Sequence, residues 1–181
     1  MTTFPVQELI NESLKVDREK KEITSWHASR FGACLRGVYL ERIGHKPDEE
    51  VDERTLRIFD MGNKIEDWVV ELLKISAEPK GYEVETQVRV EDEERNITGY
   101  ADIVLSKGKD KQVVEVKSKQ SKSFWYMDKK EQGPSEHHRQ QLWIYLDVLG
   151  IELGTLVYVS KDDSAVLEYP VFRKDKELRK G

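Results

Sequence analysis

The sequence predicts an α/β fold: one domain with a mixed β-sheet flanked by helices. Three observations carry this. The chain has 181 residues, 38% hydrophobic and 36% charged, enough for a single core beneath a very polar surface. Apolar residues recur first at helical spacing (Val6, Leu9, Ile10, Leu14) and later alternate at a spacing of two. The resulting order of helices, a strand meander, a helix and returning strands is that of a mixed sheet with helices on its faces. A helical part spans about 1–80, the sheet and its helix about 81–172, and a charged tail 173–181.

Element by element, residues 5–21 form a first helix and 27–43 a second, ended by Gly44. Pro47 and the acidic run 48–53 lead into a long helix over 53–76, with Pro79 and Gly81 beyond its end. Strands follow at 82–90, 97–105 and 112–118. The link Ser106–Lys111 suits a tight hairpin, with Gly108-Lys109 as a two-residue type II′ loop. That register sets Lys107 opposite Asp110 and, counting back, Asp102 opposite Glu115. Residues 119–134 are irregular or partly helical. A helix over 135–149 stops at Gly150, strands 154–160 and 165–171 close the domain, and the tail after Arg173 is mobile. Trp26, Trp68 and Trp143 are core or half-buried positions.

No window approaches the ~18 apolar residues of a membrane span. The N-terminus lacks a basic-then-apolar signal region, and Glu8 and Glu12 argue against a transit peptide, so the expected location is the cytoplasm. One cysteine, Cys34, excludes an internal disulfide and a four-cysteine metal site, and is expected as a buried small hydrophobe. The net charge of −5 is unevenly spread. Residues 48–95 hold 16 acidic against 7 basic side chains, whereas 107–130 hold 8 lysines against 3 acids. The basic stretch is either a solvated face or a phosphate-facing strip.

Three sequence features carry chemistry. Strand periodicity puts Glu115 and Lys117 on one face, with Asp102 across the hairpin. Opposed carboxylates destabilise a strand pair. Either an Asp–Lys–Glu ion-pair cluster or a hard divalent cation would compensate, and Mg²⁺ favours one or two carboxylates with waters and phosphate oxygens. Glu66 lies in the apolar sector of the long helix, between Phe59 and Leu73, with Gly62 one turn earlier. A buried carboxylate there needs a partner unless it reaches solvent at the helix edge. His138, Gln141 and Tyr145 fall on one helical face, where Gln141 and Tyr145 could donate hydrogen bonds to a phosphate or a water.

Together these elements resemble the PD-(D/E)xK nuclease superfamily, in its RecB-type branch. The pattern is Gly62-x-x-x-Glu66, Gly99-x-x-Asp102, Glu115-Val116-Lys117 and Gln141-x-x-x-Tyr145 preceded by His138. It covers residues 62–145, with Glu66 where the branch often has His. Ser29–Tyr39, with Cys34-Leu35-Arg36, resembles the first cysteine motif of CRISPR-associated RecB-like nucleases. Residues 146–181 hold none of the three further cysteines those proteins use, so no iron–sulfur cluster is expected. The cluster-free arrangement is similar to viral and mitochondrial single-domain exonucleases.

The resemblance implies a restriction-endonuclease-like core and an Mg²⁺- or Mn²⁺-dependent deoxyribonuclease, an exonuclease on single-stranded DNA or DNA ends, in repair or recombination. It implies Glu66, Asp102, Glu115 and the Val116 carbonyl as metal ligands, and Lys117 as the residue that positions the attacking water. Gln141 and Tyr145 would place the strand, and the products would be a 5′-phosphate and a 3′-hydroxyl. Lys119, Lys122, Trp125 and Tyr126 directly follow the catalytic strand and suit base stacking on single-stranded DNA, or simply pack on the domain. Arg30, Arg36 and His138 are further candidates for nucleic-acid contact. Two other classes stay open: a catalytically silent nucleic-acid-binding or assembly module on the same fold, and an acidic interaction protein working through residues 48–95.

Overall fold

The computed structural model describes residues 5–14, 24–45, 51–129, 132–175 and 178. Six strands form one mixed sheet: β1 (Trp26–His27), β2 (Glu83–Asp92), β3 (Ile97–Lys107), β4 (Asp110–Lys119), β5 (Leu153–Ser160) and β6 (Val166–Phe172). The helices are α1 (Val6–Leu14), α2 (Leu35–Arg42), α3 (Glu53–Ala77), α4 (Ser121–Lys129) and α5 (Glu136–Leu149). β2, β3 and β4 form an antiparallel meander, β4 and β5 run parallel around the α4–α5 connection, and β6 returns antiparallel on β5.

The helices cover both faces because the strands are apolar on both. On one side Leu142, Tyr145 and Leu146 of α5 and Phe124 and Met127 of α4 pack on Val113 and Leu156. On the other, Val69, Val70 and Leu73 of α3 pack on Ile103, Val114, Val157 and Val159. The helix ends follow capping chemistry. Asp52 accepts from the Thr55 N–H at 2.6 Å at the start of α3. Gly150 closes α5 in the left-handed conformation, with φ 68°. Asp162, just after β5, accepts from the Ser121 N–H and so caps α4.

The β3–β4 hairpin has the expected register, with Lys107 paired to Asp110 and a positive φ at Gly108 but not at Lys109, as a type II′ loop requires. Its ladder is short: it stops at Ile103–Val114. β2 takes the whole of one edge of β3, so β1 and β4 share the other, β1 at Ile97–Thr98 and β4 at Ile103–Lys107. Residues 99–102 between them keep an open edge. At the same level the β2–β3 pair turns over. Val84 packs towards α3 but Val88 and Val90 towards α5, and Ile103 and Ala101 divide the same way. Residues two apart normally share a face. The break falls at Gln87, which has φ 50°, and the Gln87–Asp102 pair is missing from an otherwise regular ladder.

Three expectations need correction, and a fourth lies partly outside the described residues. The helix expected over 27–43 is instead strand β1, a 3₁₀ turn at Ala28–Arg30 and the shorter α2. Trp26 and His27 run beside β3, the Trp26 N–H bonds the Asn96 carbonyl, and Gly32 breaks the helix at φ 78°. The helix expected over 5–21 is described only as far as Leu14, its remainder lying outside the described residues. Cys34 is exposed rather than buried, at the start of α2. The tail after Arg173 is anchored where it is described: Arg139 pairs with Asp175 at 2.9 Å and Leu178 is buried in the α5-side core.

Candidate active site

Glu115 is the centre. It is 1% exposed on β4, and its Oε1 accepts from Lys117 Nζ at 2.6 Å and from Gln141 Nε2 at 2.7 Å. Its Oε2 is buried and has no hydrogen-bond partner among the described residues. Asp102, 9% exposed, sits where β3 and β4 part, and its Oδ2 accepts from the Val116 N–H at 2.8 Å. A carboxylate thus takes the backbone donor that the next ladder pair would have used. The expected Asp102–Glu115 opposition therefore holds as counted register, but not as a ladder pair.

These charges strain one another. Burial, then the neighbouring Glu115, pushes the Asp102 carboxyl up to about 7. Burial also raises Glu115 against the opposing pull of Lys117. Burial alone would lower the Lys117 ammonium, but Glu115 and Asp102 hold it above its ordinary value, so it is a fixed cation. Glu66, on α3, is raised by burial and then by Asp102. Its Oε1 accepts from Gln87 Nε2 at 2.6 Å, which holds it on the cleft wall. Among the described residues no three acidic, histidine or cysteine side chains converge on one point. The ready donors for a cation are the Asp102–Glu115 pair, with Glu66 beside them.

Gln141 and Tyr145 face inward. Both are buried, Gln141 Nε2 bridges Glu115 and the Tyr145 hydroxyl, and burial followed by Glu115 raises the Tyr145 phenol. They orient Glu115 from behind. The close fit explains Gly99, where a Cβ would lie 2.8 Å from Tyr145 Cε1. Gly62 is less constrained, since a Cβ there would meet only Ser118 Oγ at an ordinary 3.6 Å. His138 Nδ1 and the Tyr158 hydroxyl are 2.7 Å apart. Burial and then Lys117 and Lys119 depress the imidazole to about 3, so it is neutral near pH 7.

The site opens on a cleft of about 480 Å³ between α3 and the ends of β4 and β5, lined by Phe59, Asn63, Glu66, Lys117, Lys119 and Lys161 among others. A second cavity of about 520 Å³ shares Lys119 and continues past Tyr126 to Pro134 and Ser135. Trp125 and Tyr126 are exposed on α4 and meet edge-on at 5.2 Å. Lys122 is exposed on α4. Arg36 is exposed on α2, and Arg30 is ion-paired to Glu41 at 2.9 Å, neither lining this cleft. Lys161, Asn63 and Gln87 were not singled out from the sequence. Lys161 was findable: it follows β5, the parallel neighbour of β4, and its N–H bonds the Lys119 carbonyl at 2.8 Å. Gln87 carries no local signal.

Neither a family model nor a curated protein matches the sequence. Solved structures do share the fold. The protein SSO0001 matches over 96% of this chain and 82% of its own, with 22% identity and a TM-score of 0.64. The alkaline exonuclease LHK-Exo from Laribacter hongkongensis matches over 96% and 86%, with 14% identity and a TM-score of 0.63, and is also known in complex with dAMP. A phage-related exonuclease from Haemophilus somnus 129PT matches over 80% and 72%, with 15% identity and a TM-score of 0.56.

Proposed function

From the restriction-endonuclease-like fold that this chain shares with the PD-(D/E)xK nuclease superfamily, we propose that it is a divalent-metal-dependent deoxyribonuclease acting on single-stranded DNA or DNA ends. One observation carries the reading. A buried carboxylate pair, with Glu115 Oε2 unpartnered among the described residues, lies behind a cleft whose wall carries Glu66, Lys117, Lys119 and Lys161. Two neighbouring carboxyls raised by burial, and a buried carboxylate oxygen without a hydrogen bond among the described residues, are what a hard cation would satisfy. Asp102, Glu115 and the Val116 carbonyl would hold it, with Glu66 available from α3. Bound there, Mg²⁺ or Mn²⁺ supplies Lewis acidity towards a phosphoryl oxygen and lowers the pKa of a bound water.

The chain's own groups do the rest. Lys117 brings a permanent positive charge to the site and offsets charge growing on the phosphate. Gln141 and Tyr145 keep Glu115 in one rotamer from the buried side. Lys119 and Lys161 neutralise backbone phosphates along the cleft. Tyr126 and Trp125 offer aromatic faces for unpaired bases, each such stack contributing ~1–3 kcal/mol. In the hydrolysis the water oxygen bonds to phosphorus as the bond to the 3′ oxygen breaks, and the water's proton ends on that 3′-hydroxyl, leaving a 5′-phosphate.

The test is cleavage of labelled single- and double-stranded DNA by wild type and Lys117→Ala, with Mg²⁺, with Mn²⁺ and with EDTA. Cutting in EDTA, or full activity in Lys117→Ala, refutes the assignment. Circular and end-blocked substrates separate exonuclease from endonuclease.

A further inference from the structure

The long helix α3 has a second apolar face that its own domain leaves largely bare, with Ile58 at one end on the rim of the cleft. Ile58, Met61, Ile65, Trp68, Leu72 and Ile75 recur at spacings of three and four, the a/d pattern of a coiled-coil seam. At 1.5 Å per residue the seam is about 26 Å long. The sheet is served by other residues of the helix, Val69, Val70 and Leu73, and only Ile65 of the seam also packs there. Met61 is 53% exposed, Trp68 40%, Leu72 45% and Ile75 65%. Contiguous large apolar side chains in such a run are uncommon on a monomer and mark an association surface. The two longest undescribed segments, 15–23 and 46–50, read KVDREKKEI and KPDEE, so they have few apolar side chains with which to cover it.

We propose that this face pairs with α3 of a second copy of the chain, antiparallel about a two-fold axis. Charge decides both the partner and the direction. In the antiparallel pairing Ile58 layers on Ile75 of the partner subunit, Met61 on Leu72 of the partner subunit and Ile65 on Trp68 of the partner subunit. Every layer is apolar. The seam's outer flank carries Arg57, Lys64 and Glu71, with Glu78 one step beyond the helix. Antiparallel pairing brings Lys64 against Glu71 of the partner subunit, twice by symmetry. Lys64 and Glu71 are both exposed. A parallel pairing would set the same flank against Gly62, Val69 and Ser76 of the partner subunit and form no ion pair, so the flanking charges select the antiparallel form. One alternative route to association, addition of a strand to the β2 edge, meets the charged side chains Glu83, Glu85, Arg89 and Glu91, which oppose it. α1 adds to the apolar surface: it docks on the N-terminal end of α3 through Asn11, bonded to Glu53 and Arg57, and leaves Val6, Leu9 and Ile10 exposed.

Sedimentation velocity of the full chain across a concentration series tests the pairing. Wild type is expected as a concentration-dependent dimer. Lys64→Glu and Glu71→Lys, each placing like charges together twice, should raise the dissociation constant about tenfold. The double variant Lys64→Glu/Glu71→Lys should return to the wild-type value. Circular dichroism of each variant confirms folding, and neither position belongs to the nuclease site, so cleavage per chain reports separately on that reading. A wild-type monomer at every soluble concentration overturns the proposal. So does a dimer indifferent to the single substitutions, or a double variant no better than the singles.

Discussion

Replacing Asp102 by Asn is expected to stabilise the cation-free protein while abolishing cleavage. The unfolded chain titrates Asp102 near 3.8, the folded chain at about 7. Between those values the native state holds the extra proton, so stability is full below the lower value and falls as pH rises towards the upper one. A separation of about three units at 1.36 kcal/mol each gives roughly 4 kcal/mol lost by about pH 8. Asn keeps an acceptor for the Val116 N–H but brings amide donors into a buried site, at about 1–3 kcal/mol if unmet. The net gain is about 2 kcal/mol, or ~4–8 °C in Tm for a chain of this size. Thermal unfolding in EDTA at about pH 8 and about pH 4 reads it. The variant should melt higher at the upper pH and, once the proton is held in both states at the lower, below wild type by the amide cost alone. Mg²⁺ or Mn²⁺ should then raise wild type at the upper pH and leave the variant unmoved. A variant less stable than wild type in EDTA at the upper pH, or a gap that ignores pH, would refute the reasoning.

Gln87→Gly removes a non-glycine residue from φ 50° and frees Glu66 at once. The strain relieved, ~1–3 kcal/mol, offsets the lost hydrogen bond and the extra chain entropy. Tm should therefore hold or rise while Mn²⁺ affinity by calorimetry drops severalfold; unchanged affinity would separate Glu66 from the cation site. Gly99→Ala should cost about 1–3 kcal/mol in denaturant unfolding, because the new methyl meets the Tyr145 ring and the Ala28 Cβ. Retained stability would mean that Tyr145 is not confined as described. In a Lys117→Ala background, Lys119→Ala with Lys161→Ala should reduce the salt slope of single-strand binding by about 1.4, the share of two phosphates. An unaltered slope would place the strand elsewhere.

Much of the site was legible because its signals are local. The Gly99–Asp102 and Glu115–Lys117 spacings, the two-residue Gly108-Lys109 turn and strand alternation together bring Asp102 and Glu115 to one level, and the Ser135 and Gly150 caps bound the helix carrying Gln141. What stayed hidden depends on distant partners. His27 reads as the start of a helix, and joins Trp26 in a strand only because Ile97–Thr98, some seventy residues later, offers an open edge. Gln141 and Tyr145 share the expected face, but periodicity says only which side of a helix a group is on. It does not say whether that side meets solvent or, as here, the buried back of Glu115. The turnover at Gln87 belongs to a packing requirement on both sheet faces and leaves no mark on the alternation of its own segment.

The parting of β3 and β4 gives the molecule an internal reporter. Val116 is the residue whose main-chain N–H is bonded to a side-chain oxygen of Asp102 instead of a carbonyl of the neighbouring strand. Its amide resonance is therefore tied to the electron density on one carboxylate, and its solvent exchange to the residence of that single bond. In a labelled sample, one backbone signal would register whatever occupies the acidic pair, whether or not any DNA is cut.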